Sequence, residues 1–153
     1  MSARAGVGYD AHRFAAGRRL VLGGVDVPHE VGLEGHSDAD VLTHAVIDAV
    51  LGAAGLGDLG TLFPADDERW RDAHSLDLLT VAIGNLRGRV LNVDATVICE
   101  APRIGPHRAE MERNLAEVLS APVTVKATTN EGMGWIGRGE GIACSAVALV
   151  ELD

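Results

Sequence analysis

Residues 141–150 read GIACSAVALV and form the last apolar run of the chain. Both alternating faces of this run are apolar, a pattern typical of a β-strand that is covered on both sides. Two arrangements would cover it: sheets from several copies pack face to face, or a central strand lies under helices on each side. The pattern alone favours neither. Because a chain of 153 residues has few elements with which to cover both faces, we expect an oligomer that packs sheet faces together.

Strand and helix patterns alternate along the rest of the chain. Ser37 is the expected N-cap of the first helix, with Asp40 at the capping-box position. A polar, turn-rich loop is predicted from 55 to about 72. The predicted elements are strands at 6–10, 90–100 and 123–128, a hairpin at 19–27 broken by Gly23-Gly24, and helices at 38–54, from 75 toward 86, and from Pro106 onward with an apolar stripe of Met111, Leu115, Val118 and Leu119. We predict the α/β (α+β) class, with one domain over residues 1–153 and a mixed β-sheet covered by helices on one face.

Charge and composition narrow the possible partners. The net charge of −9 argues against nucleic acid or an anionic membrane. Lys126 is the only lysine, so arginines, backbone N–H groups or metal ions would have to hold an anionic ligand. Cys99 and Cys144 lie in apolar runs and are predicted to be buried free thiols, which fits a reducing cytosol. No cationic leader or apolar stretch of about 18 residues is present, so we expect a cytoplasmic protein that is neither secreted nor membrane-spanning.

Two short segments predict a metal site. Asp10-Ala11-His12 ends the first predicted strand, where alternation places the carboxylate and the imidazole on one face. His44 lies in the middle of an otherwise apolar helix, where packing gives no reason for an imidazole. One carboxylate and two imidazoles suit Zn²⁺ with one coordination position left open for chemistry.

Each of these residues also has a structural interpretation. The triplet recurs as Asp72-Ala73-His74 in a charged stretch ahead of a helix, where solvation and capping explain it. His44 is alternatively a core histidine whose ring is satisfied by Asp48 one turn away. Both roles are compatible, because a ligating imidazole usually donates its other N–H to a carboxylate.

Residues 128–140 contain a second candidate site. The glycines of 132–137 spell G-x-G-x-x-G, but a dinucleotide fingerprint requires a following helix, and here a strand follows. Thr128-Thr129-Asn130-Glu131 offers hydroxyls, N–H groups and one carboxylate, which are the parts of a site for phosphate and a divalent cation. A structural Gly-rich turn is the alternative.

Five blocks of sequence together resemble one known family, the 2-C-methyl-D-erythritol 2,4-cyclodiphosphate synthases. The blocks occur in the family's order and span nearly the whole chain. They read GVGYDAHRF, GHSDADVLTHAVIDAVLGAA, GDLGTLFP, APRIGPH and VKATTNEGMGWIGRGEGIA. The resemblance implies an enzyme of the non-mevalonate isoprenoid pathway, a phosphorus–oxygen lyase that converts 4-diphosphocytidyl-2-C-methyl-D-erythritol 2-phosphate into the cyclic diphosphate and CMP. It also implies a homotrimer whose active sites lie at the subunit interfaces.

The resemblance assigns roles residue by residue. It implies that Asp10, His12 and His44 bind one Zn²⁺ per subunit, and that Glu131 holds a second divalent ion, Mg²⁺ or Mn²⁺. His36 and Thr129 are the implied catalytic residues, both placed to assist the transition state. The implied substrate-binding residues are Asp10, His12, His36, Ser37, Asp58, Gly60, Phe63, Pro64, Ala65, Asp66, Asp67, Glu100, Ala101, Pro102, Arg103, Ile104, Gly105, Thr128, Thr129, Asn130, Glu131, Trp135 and Arg138.

Three positions depart from the family pattern. Ala65 stands where an aspartate is common, so one hydroxyl contact is missing or comes from Asp66 or Asp67. Val7 and Trp135 differ near the expected trimer axis, where relatives enclose an apolar cavity that can hold an isoprenoid diphosphate.

Two other functions are consistent with parts of the sequence. A metal-dependent phosphohydrolase would use the same Asp-His-His site with activated water. A non-catalytic trimer that binds isoprenoid diphosphates would use Arg138 and the central cavity.

Overall fold

The computed structural model describes residues 1–153, which form seven strands and five helices. The strands are β1 (Ser2–Ala15), β2 (Leu20–Leu22), β3 (Val25–Val27), β4 (Gly32–Leu33), β5 (Gly88–Ile98), β6 (Val123–Thr128) and β7 (Gly141–Leu152). The helices are α1 (Val41–Ala54), α2 (Leu59–Leu62), α3 (Ser75–Gly84), α4 (Arg108–Leu119) and α5 (Gly134–Gly137), with 3₁₀ turns at Glu68–Trp70 and Gly105–His107. None of the helices combines the length and the apolar character that a membrane crossing requires.

The main sheet has five strands in the order β4-β1-β7-β5-β6. The strand β1 pairs antiparallel with β7 from Ser2 opposite Leu152 to Arg13 opposite Gly141. The pairing of β5 with β7 is also antiparallel, whereas β5 and β6 are parallel. The sheet is therefore mixed, as predicted. The strands β2 and β3 form the predicted hairpin.

Two glycines bring α1 into direct contact with β1. A Cβ added at Gly6 would lie 2.0 Å from the carbonyl oxygen of Ala49, and one added at Gly8 would lie 1.9 Å from that of Ala45. Only residues without a side chain allow the helix backbone so close. Because side chains alternate along a strand, the next positions on this same face belong to Asp10 and His12.

The opposite face of the sheet carries exposed apolar side chains. Val7 is 70% exposed, Tyr9 58% and Val147 45%. Val7 and Val147 are direct cross-strand partners, while the alternate positions Cys144, Ala146 and Ala148 of β7 are buried in the core. The helices therefore cover one face, and the alternative in which helices lie on both sides of β7 is wrong.

The start of α1 differs from the prediction. The helix begins at Val41, because Ala39 has a left-handed φ of 56° and Asp40 is extended. Asp40, not Ser37, is the N-cap: its carboxylate accepts from the backbone N–H of Thr43 and also from those of Gly23 and Gly24. This fully buried carboxylate joins the hairpin to the helix.

The other predicted elements are present, but the first strand, predicted at 6–10, spans Ser2–Ala15. The third predicted helix begins with a 3₁₀ turn around Pro106 and continues as α4, whose Met111, Leu115 and Leu119 are buried as expected. The predicted loop at 55–72 contains α2 and a 3₁₀ turn, both of which begin at capping aspartates. Cys99 and Cys144 are buried free thiols, as predicted.

Candidate active site

Asp10, His12 and His44 converge at the junction of β1 and α1. The Oδ2 of Asp10 lies 2.8 Å from Nε2 of His12 and 3.1 Å from Nδ1 of His44. The two ring nitrogens are 3.2 Å apart. Zinc–ligand bonds of about 2.0–2.1 Å in a tetrahedron separate the ligands by about 3.3 Å. The predicted ligands therefore meet with spacings close to those of a tetrahedral divalent metal site.

The outer ring nitrogens are engaged elsewhere. His12 Nδ1 lies 2.8 Å from the carbonyl oxygen of Glu34, which can only accept, so this nitrogen carries the proton and Nε2 of a neutral ring is free to bind a cation. His44 Nε2 lies 2.8 Å from Ser75 Oγ and 3.1 Å from Ser37 Oγ. These outer contacts hold both rings in the orientation that the inner site needs.

The alternative in which Asp48 satisfies the ring of His44 is wrong. Asp48 makes no hydrogen bond to the imidazole; its Oδ1 accepts from the backbone N–H of Leu59 at 2.7 Å. The hydroxyls of Ser75 and Ser37 face the ring at Nε2 instead, at 2.8 and 3.1 Å. A hydroxyl is too common at helix starts to single out either serine in the sequence.

The carboxylate of Asp10 and the imidazole of His12 shift each other's pKa. Burial works against the charged form of Asp10, but hydrogen bonding and Coulombic attraction to His12 and His44 outweigh it and lower the pKa of Asp10 to about 2. Burial likewise opposes the charge on His12, yet the Asp10 carboxylate raises the pKa of that ring. An anionic carboxylate between two imidazoles fits a bound cation.

The second Asp-Ala-His triplet forms no such site. Only Asp10, His12 and His44 bring three metal-binding side chains within 4.8 Å of one another. Asp72 has a left-handed φ of 56° and His74 is the N-cap residue of α3, without a capping side-chain hydrogen bond. Asp72 and His74 therefore belong to no group of three metal-binding side chains, and the imidazole of His74 does not cap α3.

The triad opens into a cavity of about 230 Å³. Among the implied substrate-binding residues, His36, Ser37, Phe63 and Ala65 line it together with the three ligands. The rest of the lining is apolar or aromatic, from Leu59, Trp70 and Leu78. This cavity can therefore hold a phosphate next to a metal and an uncharged carbon chain beside it.

Other implied residues of this region are occupied by local contacts. Asp58 accepts from the N–H and the hydroxyl of Thr61 at the start of α2, and these bonds lower the pKa of its carboxyl. Gly60 lies within α2. Asp67 is ion-paired with Arg69 at 2.7 Å, whereas Asp66 is exposed and has no such partner. Asp66 is thus the freer of the two carboxylates next to Ala65.

A larger cavity of about 490 Å³ lies at the ends of β5 and β6. It is lined by Cys99, Glu100, Pro102, Arg103, Ile104, Gly105, Pro106, Ala127, Thr128 and Thr129. These include most of the residues implied to bind the cytidine and diphosphate groups. The Ala101–Pro102 peptide is cis in this wall.

Glu100 has a role that the sequence did not indicate. Its two carboxylate oxygens accept from the backbone N–H groups of Asn130 and Gly132, at 2.7 and 2.8 Å. Glu131 lies between these two residues with a left-handed φ of 54°, and its side chain is exposed. Glu100 therefore fixes the turn that presents Thr129 and Glu131.

The two cavities share no lining residue. Glu131 also lies outside the Asp10, His12 and His44 cluster. Trp135 lines a third cavity of about 210 Å³ together with His12, and Arg138 is paired with Glu140 at 2.8 Å. One chain thus carries the residues of the metal cavity and those of the larger cavity in separate places.

Comparisons with known proteins agree with this geometry. The YgbB family model matches residues 3–151. A protein of Syntrophomonas wolfei named 2-C-methyl-D-erythritol 2,4-cyclodiphosphate synthase is 54% identical over 97% of this chain and 98% of its own. The bifunctional IspDF of Campylobacter jejuni superposes with a TM-score of 0.92 at 41% identity, covering 99% of this chain and 43% of that protein. A 2-C-methyl-D-erythritol 2,4-cyclodiphosphate synthase solved with CDP gives a TM-score of 0.88 at 34% identity, over 97% of this chain and all of that one. The chain therefore belongs to the YgbB family, that of the 2-C-methyl-D-erythritol 2,4-cyclodiphosphate synthases.

Proposed function

We propose that the chain, as one catalytic domain, converts 4-diphosphocytidyl-2-C-methyl-D-erythritol 2-phosphate into 2-C-methyl-D-erythritol 2,4-cyclodiphosphate and CMP. An oxygen of the 2-phosphate attacks the β-phosphorus, and the bond from that phosphorus to the CMP oxygen breaks, so that CMP leaves with the electron pair. The observation that carries the proposal is the Asp10, His12 and His44 triad, which opens into a cavity that His36 and Ser37 also line.

The donor set suits two divalent cations. Asp10, His12 and His44 would hold Zn²⁺, since two imidazoles and one carboxylate leave the fourth tetrahedral position open. Glu131, exposed on its turn, would hold Mg²⁺ or Mn²⁺, which prefer oxygen ligands. When bound, such cations polarise phosphate oxygens and neutralise the charge on the leaving group.

Charge explains why the protein needs these sites. Two unit anions about 4 Å apart repel by about 4 kcal/mol at an effective dielectric constant of 20. The chain adds a net charge of −9 and a single lysine. Cations bound at the reacting phosphates would therefore offset this repulsion.

The remaining side chains bind and orient the substrate. His36 and Ser37 contact the attacked phosphate beside the triad, and Asp58, Gly60 and the 63–67 loop hold the erythritol hydroxyls. At the second cavity, residues 100–105 enclose the cytosine, Thr128 binds the diphosphate, and Thr129 stabilises the transition state. Because the reaction is intramolecular, holding the substrate bent supplies a large part of the rate enhancement. No protein nucleophile is needed.

Assembly as a homotrimer would complete the site. The metal cavity and the larger cavity share no lining residue, and Val7, Tyr9 and Val147 leave an apolar sheet face exposed. Packing these faces together would bury that surface and set one chain's metal cavity beside its neighbour's larger cavity. Equilibrium sedimentation should then give three times the 16.0 kDa mass of one chain.

Arg138 and the two cysteines bear on a second ligand and on the compartment. An isoprenoid diphosphate at Arg138 would have to compete with the Glu140 carboxylate, which lies 2.8 Å from the guanidinium. The buried free thiols of Cys99 and Cys144 support a reducing compartment such as the cytoplasm.

Product analysis tests the proposed reaction. The enzyme is supplied with the diphosphocytidyl substrate, with and without a metal chelator, and the products are identified. Equal amounts of CMP and the cyclic diphosphate, lost on chelation, are expected. Linear phosphate products would instead identify a phosphohydrolase, and intact substrate would identify a binding protein.

A further inference from the structure

A chain of hydrogen bonds leads from His44 away from the metal cavity. Ser75 Oγ lies 2.8 Å from Nε2 of His44, and the same hydroxyl makes a short hydrogen bond to Oδ1 of Asp38. The backbone N–H of Ser75 donates to Oδ2 of Asp38 at 3.0 Å. Ser75 is fully buried at the first position of α3. One serine therefore links the imidazole to a carboxylate through its hydroxyl.

The directions of these bonds are fixed by chemistry. The Asp38 carboxylate can only accept, so the Ser75 hydroxyl donates its hydrogen there. The hydroxyl oxygen then presents a lone pair to His44, and Nε2 must carry the hydrogen of the neutral ring. The other nitrogen, Nδ1, is left with a free lone pair, and it is the atom that faces Asp10 and His12.

We infer that Ser75 and Asp38 are positioning residues for the metal centre: they fix the tautomer of His44 and strengthen Nδ1 as a ligand. A negative group behind a ligating imidazole increases its basicity, and such outer contacts contribute about 10–100-fold to metal affinity. The inference rests on the metal site of the proposed function.

The position of Asp38 is itself well determined. Its backbone N–H donates to the carbonyl oxygen of Ala73 at 3.1 Å, and its Oδ1 also accepts from the N–H of Asp40 at 3.1 Å. The segment before α1 and the segment before α3 are thereby joined at the carboxylate. A shift of α3 would move Ser75 and, through it, the ring of His44.

Ser37 has a different role from Ser75. Its Oγ lies 3.1 Å from His44 Nε2, farther than Ser75 Oγ. Ser37 lines the metal cavity, whereas Ser75 does not. With the ring N–H directed to Ser75, the hydroxyl hydrogen of Ser37 is free to bond a phosphate oxygen in the cavity.

Zinc affinity, measured without substrate by competition with a chromogenic chelator, tests the inference. We expect Ser75→Ala to bind zinc at least about 10-fold more weakly than the wild type, and Ser75→Thr, which keeps the hydroxyl, to recover most of the loss. Thr80→Ala is the matched control, because it removes another hydroxyl of α3, one that bonds only the carbonyl oxygen of Leu76. Thermal unfolding of each metal-free variant separates folding defects from affinity.

A double-mutant comparison tests whether Asp38 acts on His44 through Ser75. If Asp38 acts through Ser75, Asp38→Asn weakens zinc binding in the wild type but adds little in the Ser75→Ala background. Losses that add fully would overturn the inference, as would a Ser75→Ala affinity within twofold of the wild type. A wild type that binds no zinc would overturn the metal site and the inference together, and failure of the cyclisation assay alone would leave the inference standing.

Discussion

His12 and His74 end two identical Asp-Ala-His triplets but have different surroundings. His12 faces Asp10 and His44, whereas His74 lies at the start of α3 outside any cluster of metal-binding side chains. We predict that His12→Ala and His44→Ala each reduce kcat/KM to below about one thousandth of the wild type and remove tight zinc binding. His74→Ala should stay within about twofold of the wild type in both assays. Turnover near the wild-type rate in either ligand variant would refute the assigned site.

The two cysteines should be slow to react in the folded protein. Burial, helped by the nearby charge of Glu100, raises the pKa of Cys99 to about 11, and burial also raises the pKa of Cys144. Because the thiolate is the reactive form, we expect alkylation of Cys99 at pH 8 to be roughly a hundredfold slower than for a free cysteine, with the rate rising about tenfold per pH unit up to pH 10. Cys144, which is fully buried, should react more slowly still. Mass spectrometry after timed labelling measures this. Labelling in denaturant should be fast, and equally fast labelling of the native protein would contradict the prediction.

The sequence predicts the metal ligands better than the residues that orient them. Asp10 and His12 were predictable because strand alternation fixes their common face, and His44 because an imidazole stands out in an apolar helix. Ser75 was not, because a serine at a helix start is usually a cap. The Ser75 contact with His44 spans 31 residues of sequence and depends on how α3 packs against α1.

The close contact between the strand β1 and the helix α1 depends on the two glycines Gly6 and Gly8. We predict that Gly8→Ala lowers the free energy of unfolding by about 3 kcal/mol, because its Cβ would meet the carbonyl oxygen of Ala45 at 1.9 Å. Zinc affinity should fall too, since separating the elements also separates His12 from His44. Gly52→Ala is the control: nothing lies within 4 Å of a Cβ there, and alanine in a helix should add about 0.5–1 kcal/mol. Chemical denaturation measures both, and equal stabilities would contradict the prediction.

The boundaries of helices and strands depend partly on long-range contacts, which a local sequence pattern does not include. The sequence predicts the longer strands, the hairpin and the three longer helices, but not the short elements β4, α2 and α5. It also starts α1 at Asp38, where the structure starts it at Val41. The left-handed Ala39 and the burial of Asp40 depend on the hairpin N–H groups of Gly23 and Gly24. A capping pattern confined to residues 37–40 does not include that partner.

For the whole molecule, the separation of the two cavities makes a complementation experiment possible. If each active site combines the metal cavity of one chain with the larger cavity of its neighbour, His44→Ala and Thr129→Ala damage different halves of it. Each variant alone should be inactive. Co-expressed in equal amounts, they should regain about a quarter of the wild-type activity, since each half of a site is intact with a chance of one half under random mixing.

Controls make this outcome specific to mixed oligomers. The same two variants, purified separately and mixed without subunit exchange, should remain inactive. Native mass spectrometry should detect oligomers that contain both chains. Mixed oligomers with no recovered activity would place the complete site within a single chain.

The glycine-lined face of β1 also constrains how this gene can change length. Gly6, Gly8, Asp10 and His12 follow one another at every second residue, so deleting or inserting a single codon within this stretch would exchange the two faces of the strand. Bulky groups would then meet α1 while both ligands turned toward the bare side of the sheet. The insertion or deletion of one residue here would thus remove stability and metal binding in one event.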